Sequence, residues 1–212
     1  MGNRQKLNKT LNTSSNRSSN KNTDRFKKGG FRIIGGQWKG RKLNFIEVDG
    51  LRPSLDRVRE TLFNWLQADI HHAKVLDLFA GSGALGIEAL SRGADWVQFV
   101  ELNNKAARQL ANNLDLLTPH DSSLITGNAL KFIETNQNQF DLIFLDPPFR
   151  KGIAQEVINL LSSVYWIRPD TLIYLETEQG LELTIPDHWY LLKDKKAGQL
   201  LYKLYRVDKI EQ

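Results

Sequence analysis

Residues 75–90 read VLDLFAGSGALGIEAL, an apolar segment that runs through two closely spaced glycines into a pattern with helical character. A strand that passes directly into a helix through such a turn is typical of parallel α/β sheets. Glycines allow the backbone to come close to a ligand, and the start of the helix offers unpaired N–H groups. We therefore expect a ligand site at this turn.

The rest of the chain continues this alternation of strand and helix. Apolar segments typical of strands occur at Val75–Phe79, Val97–Val100, Leu124–Thr126, Leu142–Leu145 and Leu172–Glu176. Helical patterns follow the first four of them at Leu85–Ser91, Lys105–Leu117, Leu130–Thr135 and Ile153–Ser163. This order predicts a mostly parallel sheet with helices on both faces. Trp189–Leu192 and Leu200–Val207 have no helix between them, which predicts an antiparallel hairpin at one edge.

The N-terminal part of the chain differs from this core. Residues 1–30 contain eight Lys and Arg residues against one Asp and few large apolar side chains, which predicts a disordered basic tail. From residue 31 the sequence predicts a β-hairpin that turns at Gly35-Gly36 or at Lys39-Gly40. Ser54 predicts the N-cap of an amphipathic helix over residues 55–69.

Composition excludes several kinds of site. The chain has no cysteine, so disulfides, thiolate metal ligands and a cysteine nucleophile are excluded. His71, His72, His120 and His188 lack the spacing of metal ligands, and we expect no metal. No apolar run approaches the roughly 20 residues of a membrane span, and the N-terminus lacks the apolar core of a secretion signal. We therefore expect a cytoplasmic protein that does not bind membranes.

Two classes of cofactor fit the glycine turn. The segment from Gly81 to Gly86 matches G-x-G-x-x-G, the dinucleotide fingerprint. Glu101 ends the second predicted strand, where an acid can accept hydrogen bonds from ribose hydroxyls. Asp77 favours a cofactor with an amino-acid group, because a carboxylate attracts an ammonium group and repels a pyrophosphate. Asn128 can contact an adenine edge or act as an ordinary N-cap.

The segment Asp146-Pro-Pro-Phe149 follows the fourth predicted strand. Ligands of open α/β sheets bind beyond the carboxyl ends of strands, so this segment faces the same crevice as the glycine turn. Asp146 and the carbonyl of Pro147 can accept the two hydrogens of a base amine, and Phe149 can stack on the base. Catalysis would then come from positioning and electrostatics. The pattern predicts methylation of an exocyclic amine and leaves guanine N2 and adenine N6 open.

The chain resembles the bacterial RsmD-type 16S rRNA guanine-N2 methyltransferases over about residues 31–207. The resemblance rests on residues 32–43, 52–66, 77–83 and 146–149, of which the first two blocks are the more specific. It implies a class I Rossmann-like fold of seven strands that uses S-adenosylmethionine and releases S-adenosylhomocysteine. It also implies a guanine of 16S rRNA as the target, presented in an assembled or partly assembled small ribosomal subunit.

The resemblance assigns residues by position. The catalytic set is Asp146, Pro147, Pro148 and Phe149. The cofactor-binding set is Asp77, Phe79, Gly81, Gly83, Glu101, Leu102, Asn128 and Ala129. Clustering of charge separately predicts a patch that contacts RNA phosphates, formed by Arg32, Lys39, Arg41, Lys42, Arg52, Arg57 and Arg59. We expect a monomer with one methyltransferase domain over residues 31–212, in which 31–70 form an extension and 71–212 the core.

Several alternatives stay open at this point. A nicotinamide-dependent oxidoreductase would use the glycine turn but would leave the Asp-Pro-Pro-Phe segment unexplained. A catalytically silent RNA-binding module could share the fold. An adenine-N6 methyltransferase that acts on DNA or RNA would use the same amine chemistry. The basic patch could also be a solvated face on which Asp56 and Glu60 are the ion-pair partners.

Overall fold

The computed structural model describes residues 28–46, 56–118, 121–148 and 152–209. The tail before Lys28 lies outside these ranges, as do Arg52, Ser54 and Phe149. The described elements are β1 (Lys28–Arg32), β2 (Lys42–Ile46), α1 (Asp56–Trp65), β3 (Lys74–Asp77), α2 (Ala84–Ser91), β4 (Trp96–Glu101), α3 (Asn104–Leu117), β5 (Ser122–Thr126), α4 (Ala129–Thr135), β6 (Leu142–Leu145), α5 (Ile153–Ser163), β7 (Leu172–Glu178), β8 (Trp189–Ala197) and β9 (Leu200–Val207).

Seven of these strands form one sheet in the order β5-β4-β3-β6-β7-β9-β8. The strands from β5 to β7 in this order are parallel to one another. β9 is antiparallel to both β7 and β8, which makes the edge hairpin. The predicted fold, a mostly parallel seven-stranded sheet with an antiparallel edge hairpin, is confirmed.

Two buried apolar clusters cover the two faces of the sheet. Alternate residues of a strand point to opposite faces, so Val75 belongs to one cluster and Leu76 to the other. The first cluster joins the sheet to α1, α2, α3 and the β1–β2 hairpin. The second joins it to α4 and α5. No helix within the described ranges is long and apolar enough to cross a membrane.

The N-terminal hairpin is an antiparallel pair that stands apart from the main sheet. β1 begins at Lys28, so residues 28–30 belong to the hairpin, whereas the sequence placed them in the tail. The loop between the strands contains both of the alternative predicted turns, and one glycine of each is in a left-handed conformation, Gly36 at φ 75° and Gly40 at φ 86°. A Cβ on Gly36 would lie 1.6 Å from the Ser91 carbonyl oxygen, so only glycine allows the loop to approach α2 this closely.

The buried side chain of Glu88 fastens this loop to α2. Its carboxylate accepts hydrogen bonds from the backbone N–H groups of Ile34 at 2.8 Å and Gly35 at 2.7 Å. It also accepts one from Nε of Arg92 at 2.7 Å. The Ser91 hydroxyl donates to the Gly35 carbonyl at 2.5 Å. The hairpin loop is therefore bound to the C-terminal end of α2, away from the glycine turn at which α2 begins.

We expect Glu88→Gln to lower the free energy of unfolding by about 2–4 kcal/mol, because it removes the buried charge that accepts hydrogen bonds from these partly buried donors. Glu134→Gln on the exposed face of α4 is the matched control and should change stability by less than about 0.5 kcal/mol. Urea unfolding followed by circular dichroism measures both. Equal stability of the two variants would show that the Glu88 carboxylate does not hold the hairpin in place.

Candidate active site

The turn between β3 and α2 has the backbone that close approach of a ligand requires. Gly81 and Gly83 adopt left-handed conformations, with φ of 53° and 77°. The third glycine of the motif has a packing role, because a Cβ on Gly86 would lie 2.2 Å from the ring of Phe99. The absence of that Cβ brings the first turn of α2 against the sheet.

Asp77 ends β3 and is buried under this turn. Its Oδ2 accepts a hydrogen bond from the Gly86 N–H at 3.0 Å. Burial raises the pKa of Asp77 from 3.8 to about 7; the Gly86 hydrogen bond lowers it, and the charges of Glu101 and Glu176 raise it further. A cation beside a buried acid with a raised pKa stabilises the ionised carboxylate. Asp77 therefore suits the ammonium group of an amino-acid cofactor.

Glu101 ends β4, the strand next to β3. Its Oε2 accepts a hydrogen bond from the Gly81 N–H at 2.7 Å, and its Oε1 accepts one from the Asn103 N–H at 2.6 Å. These bonds hold the carboxylate beside the glycine turn, where it can accept hydrogen bonds from ribose hydroxyl groups. Leu102 follows and is 68% exposed, so its apolar side chain is available to an adenine ring.

The remaining predicted cofactor residues lie close to strand ends. The Asn128 side chain accepts hydrogen bonds from the N–H groups of Leu130 at 2.8 Å and Lys131 at 3.3 Å, so its N-cap role is confirmed. The cap uses the side-chain oxygen, and the amide nitrogen can still donate to an adenine. Ala129 is buried in the first turn of α4, and Phe79 is partly buried after β3.

Asp146 and the two prolines follow the last residue of β6, as the sequence predicts. Phe149 lies outside the described residues. Desolvation raises the pKa of Asp146 well above its usual range, and the negative charges of Glu176 and Asp77 raise it further. The three acids therefore lie near one another at the carboxyl edge of the sheet. The described residues contain no group of three His, Asp or Glu side chains that could hold a metal.

Glu176 was not predicted as a site residue. β6 and β7 are in parallel register up to Leu145 and Leu175, and Asp146 and Glu176 are the next residues of the two segments. It is buried, and its Oε1 accepts a hydrogen bond from the Tyr174 hydroxyl at 2.7 Å. The sequence carried a signal for it, because the predicted strand that ends at Glu176 ends in an acid, like the strand that precedes Glu101.

The described residues of the predicted basic patch lie in different parts of the structure. Arg32 and Lys42 are exposed register partners in the hairpin. Arg57 is exposed in the first turn of α1. Lys39 and Arg41 are exposed in or beside the hairpin loop, which contacts the C-terminal end of α2. That end is remote from the carboxyl ends of the strands, so these two residues lie apart from the acids of the site.

Arg59 is buried, which contradicts its prediction as a phosphate contact. Its Nη2 donates to the Arg32 carbonyl at 2.8 Å and to Asp56 Oδ1 at 2.6 Å. The guanidinium lies 5.2 Å from the centre of the Phe31 ring. The helical spacing places it on the buried stripe of α1, together with Val58, Leu62 and Phe63. Arg59 therefore joins α1 to the hairpin instead of facing solvent.

Solved structures contain the same fold. One is "Putative methyltransferase yhhF" from Escherichia coli, with a TM-score of 0.79 and 46% identity over 85% of this chain and 99% of that one. A methylase structure from Haemophilus influenzae, HI0767, has a TM-score of 0.74 and 46% identity over 85% of this chain and 100% of that one. The chain is therefore a class I methyltransferase, and the oxidoreductase interpretation of the glycine turn is wrong.

The family follows from the sequence comparisons. The chain belongs to the family described as Conserved hypothetical protein 95, whose model matches residues 31–206. Ribosomal RNA small subunit methyltransferase D of Haemophilus influenzae is 49% identical over 183 residues, which cover 84% of this chain and 95% of that protein. The Escherichia coli K12 protein of the same name is 47% identical over 180 residues, with 84% and 90% covered. The resemblance to the RsmD-type family is confirmed.

The raised pKa of Asp77 predicts that the affinity for S-adenosylhomocysteine, the product of this class of enzyme, depends on pH. The ionised carboxylate is the form that attracts the ligand's ammonium group, and below a pKa of about 7 the empty pocket holds a proton instead. We expect the dissociation constant to rise by about tenfold per pH unit below about pH 7. Titration calorimetry between about pH 6 and pH 8 measures this dependence.

Asp77→Asn should weaken the binding of S-adenosylhomocysteine and remove the pH dependence of its dissociation constant, because the asparagine side chain does not titrate. Asp115→Asn, on the exposed side of α3, is the control and should keep the wild-type profile. A wild-type dissociation constant that stays the same across the range would remove Asp77 from the ammonium site.

Proposed function

We propose that this protein transfers a methyl group from S-adenosylmethionine to the exocyclic N2 amine of one guanine in 16S rRNA. We further propose that it acts in the cytoplasm, as a monomer, on an assembled or partly assembled small ribosomal subunit. The names of its relatives support the rRNA substrate. The observation that carries the proposal is the position of Asp146, directly beyond β6 and on the same sheet edge as the cofactor turn.

Asp146 and Pro147 would position the amine. The lone pair of a guanine amine is delocalised into the ring, so the nitrogen is a poor nucleophile. A carboxylate and a carbonyl oxygen that accept its two hydrogens favour a pyramidal nitrogen with a directed lone pair. The prolines fix φ and carry no N–H donor, so the acceptors stand on a stiff segment. Bound S-adenosylmethionine supplies an electrophilic methyl group on a positively charged sulfur.

The raised pKa of Asp146 suits the second part of this chemistry. The amine nitrogen becomes acidic once it is methylated, and it must then lose a proton. Desolvation and the charge of Glu176 make Asp146 a better proton acceptor than an ordinary aspartate. One side chain can therefore hold the amine before the transfer and take its proton afterwards.

Two neighbouring acids also favour guanine over adenine. Guanine has a second donor, its N1–H, directly beside the N2 amine. Adenine instead has an N1 acceptor beside its N6 amine, so it offers the acid no second N–H donor. A pocket with acids on adjacent strands therefore suits the guanine edge, which has two donors, better than the adenine edge.

The proposal is tested in a strain of the source organism that lacks the gene. Fragments of its 16S rRNA are digested to nucleosides and analysed by mass spectrometry, with and without the wild-type gene returned. N2-methylguanosine should be missing from one fragment and should return with the wild-type gene. A missing N6-methyladenosine instead would assign the adenine chemistry, and unchanged 16S rRNA would refute the proposal.

Asp146→Ala should lower turnover by on the order of a hundredfold or more, because the amine loses its positioning group. The affinity for S-adenosylhomocysteine should stay within a few-fold of wild type. Glu101→Ala is the opposite case and should weaken cofactor binding by about 1.5–3 kcal/mol. Methylation kinetics on small-subunit particles and calorimetry separate the two effects. Near-normal turnover of Asp146→Ala on saturating particles would exclude the assigned role.

Glu176→Gln should change the pH dependence of turnover. The negative charge of Glu176 raises the pKa of Asp146, so its removal should lower that pKa and move the acidic limb of the kcat profile to lower pH. Glutamine keeps an oxygen that can accept the hydrogen bond from the Tyr174 hydroxyl. Asp115→Asn is again the control. An acidic limb at the wild-type position would show that Glu176 does not act on Asp146.

A further inference from the structure

The β8–β9 hairpin carries lysines that have no part in the site described so far. Lys193, Lys195 and Lys196 are exposed on β8, and Lys203 is partly exposed on β9. Asp194 is the one acid in the sequences of these two strands. The edge of the sheet next to β7 is therefore strongly basic.

The tip of this hairpin lies at the catalytic end of the sheet. Leu200, the first residue of β9, pairs with Glu178, the last residue of β7. The Gln179 N–H donates to the Gln199 carbonyl at 2.7 Å, which joins the hairpin turn to the segment after β7. Asp146 follows the carboxyl end of β6, which is parallel to β7. The hairpin tip and the catalytic acid therefore share one end of the sheet.

The strand register extends a single row of residues from the catalytic acid to the lysines. Asp146 and Glu176 directly follow the register pair Leu145 and Leu175. Tyr202 pairs with Glu176, and Lys195 pairs with Tyr202. Register partners point to the same face of a sheet. Three strand spacings separate the ends of the row, so Lys195 lies about 14 Å from Asp146 along the sheet. Tyr202, in the middle of this row, stacks on Trp65 of α1 with ring centres 5.4 Å apart. This contact holds the Tyr202 side chain in place.

The other lysines of β8 divide between the two faces. Lys193 pairs with Leu204, which lies in the same buried cluster as Tyr202, so Lys193 shares the face of Lys195. Lys196 pairs with Leu201 and points to the opposite face. Two cations thus stand on the catalytic face, and a chemically identical one beside them does not.

We propose that Lys193 and Lys195 bind the phosphates that flank the target guanosine, an inference that rests on the proposed function. The acids at one end of the row attract the N–H donors of a base and repel phosphate. The ammonium groups at the other end attract phosphate and are independent of sequence. A nucleotide has both parts, a donor-rich base edge and an anionic backbone. The row therefore sets the direction in which the extruded nucleotide enters the pocket.

Edge protection is the competing explanation for these lysines. β8 is the outer strand of the sheet, and lysines on such strands prevent pairing with other molecules. That role does not depend on which face a lysine occupies, so Lys196 would serve it as well as Lys195. Phosphate binding next to the pocket does depend on the face, and this difference can be measured.

The test compares two double variants that remove the same charge from the same hairpin. Lys193→Ala/Lys195→Ala removes the cations of the catalytic face, and Lys196→Ala/Lys203→Ala removes cations of the opposite face. Methylation of small-subunit particles that lack the modification is measured across a salt series. We expect the first variant to raise KM by about tenfold and to reduce the slope of log(kcat/KM) against log salt by about two. The second should stay within about twofold of wild type.

Further measurements fix the interpretation. Lys193→Arg/Lys195→Arg should keep the wild-type salt slope, and all variants should bind S-adenosylhomocysteine like wild type and sediment as the wild type does. Equal losses in the two alanine variants, or no loss in either, would overturn the proposal. If the wild-type protein methylates no guanine in these particles, the proposed function fails. In that case, the affinities of the two alanine variants for the particles test whether Lys193 and Lys195 bind RNA, independently of any methylation.

Discussion

The hydrogen bond from the Gly86 N–H to Asp77 joins the first core strand to the helix that follows it. It can form because Gly86 has no Cβ, which lets the first turn of α2 press against β3 and β4. Every residue of α2 is buried. Burial of an acid is unfavourable, and the apolar contacts of the helix offset it. The close approach of the glycine turn to the sheet and the burial of the acid beneath it both depend on this contact, and so does the cofactor position that we propose.

Electrostatics divides the carboxyl edge of the sheet into an acidic pocket and a basic rim, which is formed by Lys193 and Lys195 of β8. Desolvation by burial raises the pKa values of Asp77 and Asp146, and the negative charges of the neighbouring acids, among them Glu176, raise them further. Such a pocket favours ligands that bring a positive charge or hydrogen-bond donors, because these relieve the repulsion. Both the ammonium end of the cofactor and the amine edge of guanine meet this requirement. The rim, in contrast, suits the phosphates of RNA.

Local patterns were enough to predict most of the fold. The strands at residues 97–100 and 142–145 and the helix at residues 153–163 are apolar segments with clear boundaries, and the structure contains them at those positions. The positions of Asp77 and Glu101 beside the glycine turn could be predicted because a glycine motif and a fixed spacing mark them. These features depend on residues that are near one another in the sequence.

The errors concern contacts between distant segments. Glu176 gains its place beside Asp146 only through the pairing of β6 with β7. The sequence predicts that Arg59 is exposed, because arginine is rarely fully buried. In the structure the hairpin covers it. The distance of Lys39 from the site depends on the attachment of its loop to α2. Patterns of charge along the chain do not contain this information.

The buried carboxylate of Glu88 has a consequence for protein engineering. It binds backbone N–H groups of the hairpin, so it would accept many loop sequences of the same shape. The hairpin also buries Phe31 and Phe45 in the cluster that covers one face of the sheet. A transplant of residues 28–46 onto another methyltransferase would therefore need an acid and an arginine at the matching helix positions. Without them, the graft would bring apolar surface but no anchor.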